Sequence, residues 1–183
     1  MDFKQGNINM TNSHVKYDNK TIKIFLLKKS ATSNVYKDID NTIVIKKIIK
    51  YKDYNVFERE IHILKQLNKH NINVPKLIFY DINNQIMIMS YCGEAISEKT
   101  FNSKQTYKNE LNNIINSLKK LNIKHNDIKH NSEILLLNDS IYLCDFGWST
   151  INGNLDCNIN LSNKEKPSGF IDDDLFLLHK VCE

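Results

Sequence analysis

The chain has 183 residues and a formal net charge of +4, with 41% hydrophobic and 25% charged residues. That length allows one domain, or one compact domain in two lobes, with enough chain to bury a real core. The charge is too mild to argue for nucleic acid or an acidic membrane. Arg59 is the only arginine, so guanidinium readout of bases is nearly absent and direct sequence-specific nucleic-acid binding is not expected. Lys, Asn and Ile are abundant, as codon bias in an A/T-rich viral or protist genome would produce. Residues 1–10 lack the apolar stretch of a signal peptide, and no run approaches the roughly 18–20 residues that span a bilayer. Cys92, Cys144, Cys157 and Cys182 are too scattered for a disulfide framework or a zinc site. A cytoplasmic protein with reduced thiols and no membrane partner is the expectation.

Residues 1–20 are polar and read as a weakly ordered lead. From Thr21 to Ile49 the pattern is that of strands: Ile22, Ile24 and Leu26 alternate, Val35-Tyr36-Lys37 follows a polar turn, and Ile43-Val44-Ile45 is β-branched. Between Tyr54 and Lys69 the period changes, with Phe57, Ile61, Leu64 and Leu67 at helical spacing. Pro75 ends any helix, and Leu77-Ile78-Phe79 and Ile86–Met89 read as strands joined by a turn at Asp81–Asn84. Beyond Gly93 the chain turns helical, with Leu111, Ile114, Ile115, Leu118 and Leu121 on one face. Ile134–Leu137 and Ile141–Leu143 form two short apolar runs around Asn138-Asp139-Ser140, Thr150–Ser168 is loop-like, and Asp172–Val181 has a helical pattern. A strand-rich part with one helix therefore precedes a helix-rich part, with the change near residues 90–95.

The most informative stretch is His125-Asn126-Asp127-Ile128-Lys129, followed eighteen residues after Asp127 by Asp145-Phe146-Gly147. Two carboxylates at the ends of a short strand pair can divide labour. One orients a hydroxyl nucleophile and the other holds a divalent cation on a polyphosphate. A lysine two positions beyond the first can offset charge on a transferring phosphoryl group. Either aspartate alone would read as an ordinary turn residue.

The joint pattern resembles the catalytic loop and metal-binding motif of the protein-kinase-like superfamily. The resemblance implies an α+β, two-lobed fold: a polar segment 1–20, a strand-rich N-lobe with one helix over 21–91, and a truncated helical C-lobe over 92–183. It implies ATP and Mg as cofactors. Asp127 would be the catalytic base-like residue, Lys129 the phosphate-neutralising lysine and Asp145 the magnesium ligand. Lys46, ending Val44-Ile45-Lys46, is similar to the ATP-orienting lysine, and Glu60 to the helix glutamate that pairs with it; plain surface charge is the alternative for both. Met89 would be the gatekeeper, and the backbone of Ser90, Tyr91 and Cys92 would bond adenine. Asp174 is similar to a C-lobe aspartate that braces the catalytic loop. Among families, the compact atypical kinases are resembled most: the RIO kinases, the lipopolysaccharide kinases and the small kinase of the KEOPS complex.

Three departures matter. The glycines of the phosphate-covering loop are replaced by Lys28, Ser30 and Ser33, which weakens the expected grip on ATP. The second metal ligand, five residues after Asp127, is Ser132 rather than Asn, with Asn131 able to take the place through a one-residue bulge. Asn126 stands where phosphorylation-activated kinases carry Arg, so an activation-loop phosphate has no guanidinium to dock on. The leading expectation is an ATP- and Mg-dependent serine/threonine protein kinase with a protein as substrate or partner. A pseudokinase acting as a nucleotide-binding scaffold and a small-molecule kinase are the alternatives.

Overall fold

The computed structural model describes residues 3–30, 32–50, 55–129 and 132–151. These fall into two compact units: one runs to Lys69 and resumes over Pro75–Tyr91, and the other takes His70–Val74 and the described chain from Cys92.

Among the described residues the first unit holds eight strands and one helix: β1 (Lys4–Gln5), β2 (Asn9–Met10), β3 (His14–Tyr17), β4 (Lys20–Lys29), β5 (Ser33–Asp38), β6 (Ile43–Ile48), α1 (Val56–Leu67), β7 (Leu77–Asp81) and β8 (Ile86–Ser90). All eight strands form one sheet in the order β1-β7-β8-β6-β5-β4-β3-β2. Asp18 and Asn19, both at positive φ, make the two-residue turn between β3 and β4. Side chains alternate across a strand, so register fixes the faces. Tyr36, Ile45, Ile88 and Phe79 are successive cross-strand partners on one face, whereas Val35, Lys46 and Met87 are partners on the other. β6 is buried on both. α1 buries Phe57, Glu60, Ile61, Leu64 and Leu67, a three-and-four spacing that gives one stripe. At its end the Asn68 side chain accepts from Leu77 N at 2.7 Å and donates to Pro75 O at 3.0 Å, tying the helix to β7.

The polar composition of residues 1–20 suggests a loose lead, but the structure builds residues 3–20 into the sheet. The strand order begins at β1 and ends at β2, and only Gly6–Ile8 separate them, so the sheet curls until both edges share one segment. Ile8, Val15 and Tyr17 enter the cluster formed by Ile24, Tyr36, Ile43, Ile45, Phe79, Ile86 and Ile88. The backbone N–H of Ile8 donates to a carboxylate oxygen of the buried Asp81 at 2.7 Å, and Gly6 N donates to Tyr80 O at 3.1 Å. A few apolar residues at alternating positions are enough to dock a short strand, even where composition is polar.

The second unit contains β9 (Glu94–Ala95), α2 (Glu98–Asn102), α3 (Gln105–Lys120), β10 (Ile123–Lys124), β11 (Ile134–Leu137), β12 (Ser140–Leu143), a 3₁₀ turn (Phe146–Trp148) and β13 (Thr150–Ile151). β11 lies between β12 and β9, and β10 pairs antiparallel with β13. Asn138 and Asp139, at positive φ, close the β11–β12 hairpin. α3 buries Tyr107, Leu111, Ile114, Ile115 and Leu118. Its Glu110 carboxylate accepts from Ile141 N at 2.7 Å, fixing helix to hairpin. Gly93 has φ +92°, and a Cβ there would sit 1.9 Å from Leu136 O, so glycine is required. Among the described residues no helix is long and apolar enough to cross a membrane. Arg59 is buried, so the only guanidinium of the chain is not at the surface.

Candidate active site

In the first unit β6 presents Lys46 and α1 presents Glu60, and the two meet at 2.6 Å with side chains only 8% and 1% exposed. A buried ion pair is costly to desolvate and survives only with good geometry. Plain surface charge is therefore the wrong description of both residues. Val44 pairs with Met89 and with Lys37, which places Val44, Lys37 and Met89 on the Lys46 face by register. Val35 lies on the same face, as the cross-strand partner of Lys46.

Ser90 ends β8. Its N–H donates to Lys76 O at 2.8 Å and its hydroxyl accepts from Lys76 N at 2.9 Å, while Tyr91 N donates to Thr42 O at 3.0 Å. Two of the backbone N–H groups expected to bond adenine are thus committed within the sheet. Cys92, the third residue of that expectation, is buried. Ser30 and Ser33 lie at the β4–β5 tip, where the Ser30 hydroxyl accepts from the backbone N–H of Thr32 and Ser33 at 3.2 and 3.0 Å.

In the second unit the predicted catalytic residues sit on turns. His125 is fully buried, stacks its ring edge against Phe146 at 4.8 Å and 67°, and accepts the Asp127 N–H at Nδ1 at 3.3 Å. With Nδ1 an acceptor, the proton lies on Nε2, which donates to Cys144 O at 2.9 Å. One imidazole therefore joins the backbone at Asp127 to the residue before Asp145. Asn126, buried and at φ 65°, donates from Nδ2 to Trp148 O at 3.0 Å and Thr150 Oγ1 at 3.2 Å. The segment after Asp145 is thus bonded by an amide at the position where a phosphate-binding arginine is missing. Asp145 itself has φ 68° and ψ 67°. That left-handed conformation is uncommon outside glycine and gathers at functional sites.

Lys129 pairs with a carboxylate oxygen of Asp127. Burial pushes the Lys129 ammonium down, but the bond to Asp127 and the charges of Asp127, Glu133 and Asp145 outweigh it and hold the group above the usual lysine value. Ser132 donates its hydroxyl to Glu133 at 2.5 Å. Glu133, next to Ser132 in the chain, is buried and its carboxyl is pushed up to about 7. Burial is the main cause and the charges of Asp145 and Asp127 add to it, against the Ser132 bond and Lys129. A carboxylate placed just before the apolar run of β11 was the available signal. Asn131 and Asp174 lie outside the described residues.

Asp145, Ser132 and Glu133 offer only oxygen donors, the chemistry a hard divalent cation takes.

The sequence profile of the family described as "Protein kinase domain" matches residues 29–161, well over half of the chain. An Aurora kinase of Saccharomyces cerevisiae is 33% identical over 113 residues, 57% of this chain and 31% of that protein. An Aurora kinase of Encephalitozoon cuniculi is 27% identical over 125 residues, 60% of this chain and 46% of that protein. A probable bifunctional tRNA threonylcarbamoyladenosine biosynthesis protein of Methanocaldococcus jannaschii is 24% identical over 154 residues, 78% of this chain and 28% of that protein. The chain spans less than half the length of each of these three relatives. Together with the α+β architecture and the strand, helix and turn placement of the motif residues, the matched stretch settles the family: this chain belongs to the protein kinase domain family.

Proposed function

We propose that the chain is an ATP- and magnesium-dependent phosphotransferase of compact atypical type, acting in the cytoplasm on a serine or threonine hydroxyl of a protein. The observation that carries the proposal is the buried Lys46–Glu60 pair at 2.6 Å. Burial of a lysine–carboxylate pair gives little net stability, so a ligand-directed role accounts for it better than a structural one. The similarity to Aurora kinases and the presence of Lys129 support the protein acceptor.

In this reading Glu60 orients the Lys46 ammonium, which holds phosphate oxygens of the nucleotide. Asp127 accepts a hydrogen bond from the acceptor hydroxyl and orients it, while Lys129 offsets negative charge on the transferring group. Asp145, with Ser132 or Asn131, would hold magnesium, which when bound neutralises the phosphate oxygens. His125 keeps the Asp127 backbone in place through Nδ1.

A second reading, a nucleotide-binding scaffold without transfer, is favoured by the Ser132 hydroxyl being given to Glu133. Nucleotide-dependent thermal shifts with and without magnesium, followed by radiolabel transfer to a basic protein and to the chain itself, separate the two. Asp145→Asn is expected to lower magnesium-dependent ATP binding. Asp127→Asn should bind ATP as the wild type does and lose transfer by about 10²-fold or more. A wild type that binds ATP yet transfers to nothing in magnesium or manganese selects the scaffold. Absence of ATP binding removes both readings.

A further inference from the structure

The tip between β4 and β5 closes on itself, with Ser30 N donating to Ser33 O at 2.9 Å. Inside it the Ser30 hydroxyl accepts from the N–H of Thr32 at 3.2 Å and of Ser33 at 3.0 Å, and donates to Ser33 O at 3.0 Å. The Thr32 and Ser33 hydroxyl oxygens lie 3.2 and 3.3 Å from the same atom. Thr32 O in turn receives the N–H groups of Ile49 and Lys50 at 2.9 and 3.2 Å, so the turn is fixed from outside as well. Successive backbone N–H groups converging on one point form a nest, a concavity that binds anionic oxygens. Here a hydroxyl of the loop fills it.

We propose that the Ser30 hydroxyl takes the place of a phosphate oxygen in this nest, so that the loop does not read the phosphate chain of the nucleotide. The inference deepens the phosphotransferase reading and rests on it only for the identity of the ligand. For a phosphate to reach the Thr32 and Ser33 amides, the Ser30 side chain must rotate out and give up its bonds. A charge-assisted bond is stronger than the neutral one it displaces, but the exchange recovers only the difference. Glycine at this position would leave the nest open. The protein therefore selects its nucleotide by the base and through Lys46, and separates ATP poorly from ADP.

The test uses the full ¹⁵N-labelled chain as wild type, Ser30→Ala, Ser30→Gly and Ser30→Thr, titrated with inorganic tripolyphosphate while the Thr32 and Ser33 amide resonances are followed. Those resonances are expected to hold still in the wild type and in Ser30→Thr, and to shift in Ser30→Ala and Ser30→Gly. Calorimetric binding of ATP and adenosine forms the second arm. The ratio of ATP to adenosine affinity should rise roughly tenfold in Ser30→Ala, as two amides gain a charged acceptor. Wild-type amides that shift at the concentration that moves Ser30→Ala, amides that stay still in both hydroxyl-free variants, or an unchanged ratio each overturn the proposal. Where neither ATP nor adenosine binds any form, the phosphotransferase reading falls, and the tripolyphosphate arm still decides the role of Ser30.

Discussion

The two units secure their chemistry-bearing residues by different means. In the first, Lys46 and Glu60 project from the middle of a strand and a helix, and both elements are held by apolar packing on either side. In the second, Asp127 and Asp145 sit on irregular backbone, and what fixes them is a set of buried polar groups: His125, Asn126, Ser149 and Thr150. Regular elements position a side chain through many weak contacts that tolerate the loss of one. Turns position it through a few hydrogen bonds, each of which matters singly.

The sharpest way to break that contrast is to remove one member of the buried pair. Lys46→Ala takes the ammonium away from the buried Glu60 carboxylate, and is expected to cost about 3–5 kcal/mol in urea denaturation. The double variant Lys46→Met with Glu60→Leu should recover most of that loss while nucleotide binding stays absent. A double variant as unstable as the single one would make the pair a structural element.

Next is Asp81, which anchors the closing segment of the first unit. Asp81→Ala strands the Ile8 N–H and is expected to cost roughly 2–3 kcal/mol. Burial pushes the Asp81 carboxyl up, but hydrogen bonds from Ile8, Asn84 and Asn83 outweigh it and hold it below 3.8. A carboxyl lowered by folding stabilises fully above its unfolded value, and that contribution is lost as pH falls through the lower folded value. Denaturation profiles should show an acid decline beginning below about pH 4 that Asp81→Asn flattens.

His125→Phe keeps a ring against Phe146 but removes the acceptor for Asp127 N and the donor for Cys144 O. The expected cost is about 1–3 kcal/mol, with faster hydrogen exchange at the Asp127 amide. Unchanged exchange would show that packing alone holds the turn. The smallest effect is expected from the exposed Lys104–Asp139 pair, whose side chains are 47% and 74% exposed. Lys104→Ala should leave the melting temperature unmoved.

The regular elements were legible because their periods are clean: α1 and α3 follow the three-and-four spacing of their apolar residues, and the β11–β12 hairpin is bracketed by Asn138 and Asp139. The pairing of Lys46 with Glu60 followed from motif order. Less could be read where a short segment is decided by distant partners. β3 shows only Val15 and Tyr17 at alternate positions, and Ile8 is a single apolar residue among polar ones, so their burial depends on Phe79 and Asp81 far along the chain. That α2 is a helix separate from α3 was not legible, because its cap, Ser97 accepting from Thr100 N, precedes a polar turn with Phe101 as its buried residue. At Ser30 the residue type was visible, but whether its hydroxyl faces a ligand or its own backbone is a matter of rotamer.

The closing of the first sheet has a consequence for the order of events during synthesis. β1 and Ile8 leave the ribosome before β7, and the Asp81 carboxylate that receives Ile8 N lies 73 residues downstream. At bacterial to eukaryotic elongation rates that interval is about 4–15 s. For that time the nascent Lys4–Met10 segment has no β7 to pair with, and Val15, Tyr17 and Ile24 have only part of their cluster. Slower decoding or a holding chaperone in this window would act on the yield of folded protein, and the wait of the Lys4–Met10 segment for β7 would vanish in a circular permutant that starts after β2 and carries Lys4–Met10 beyond β8.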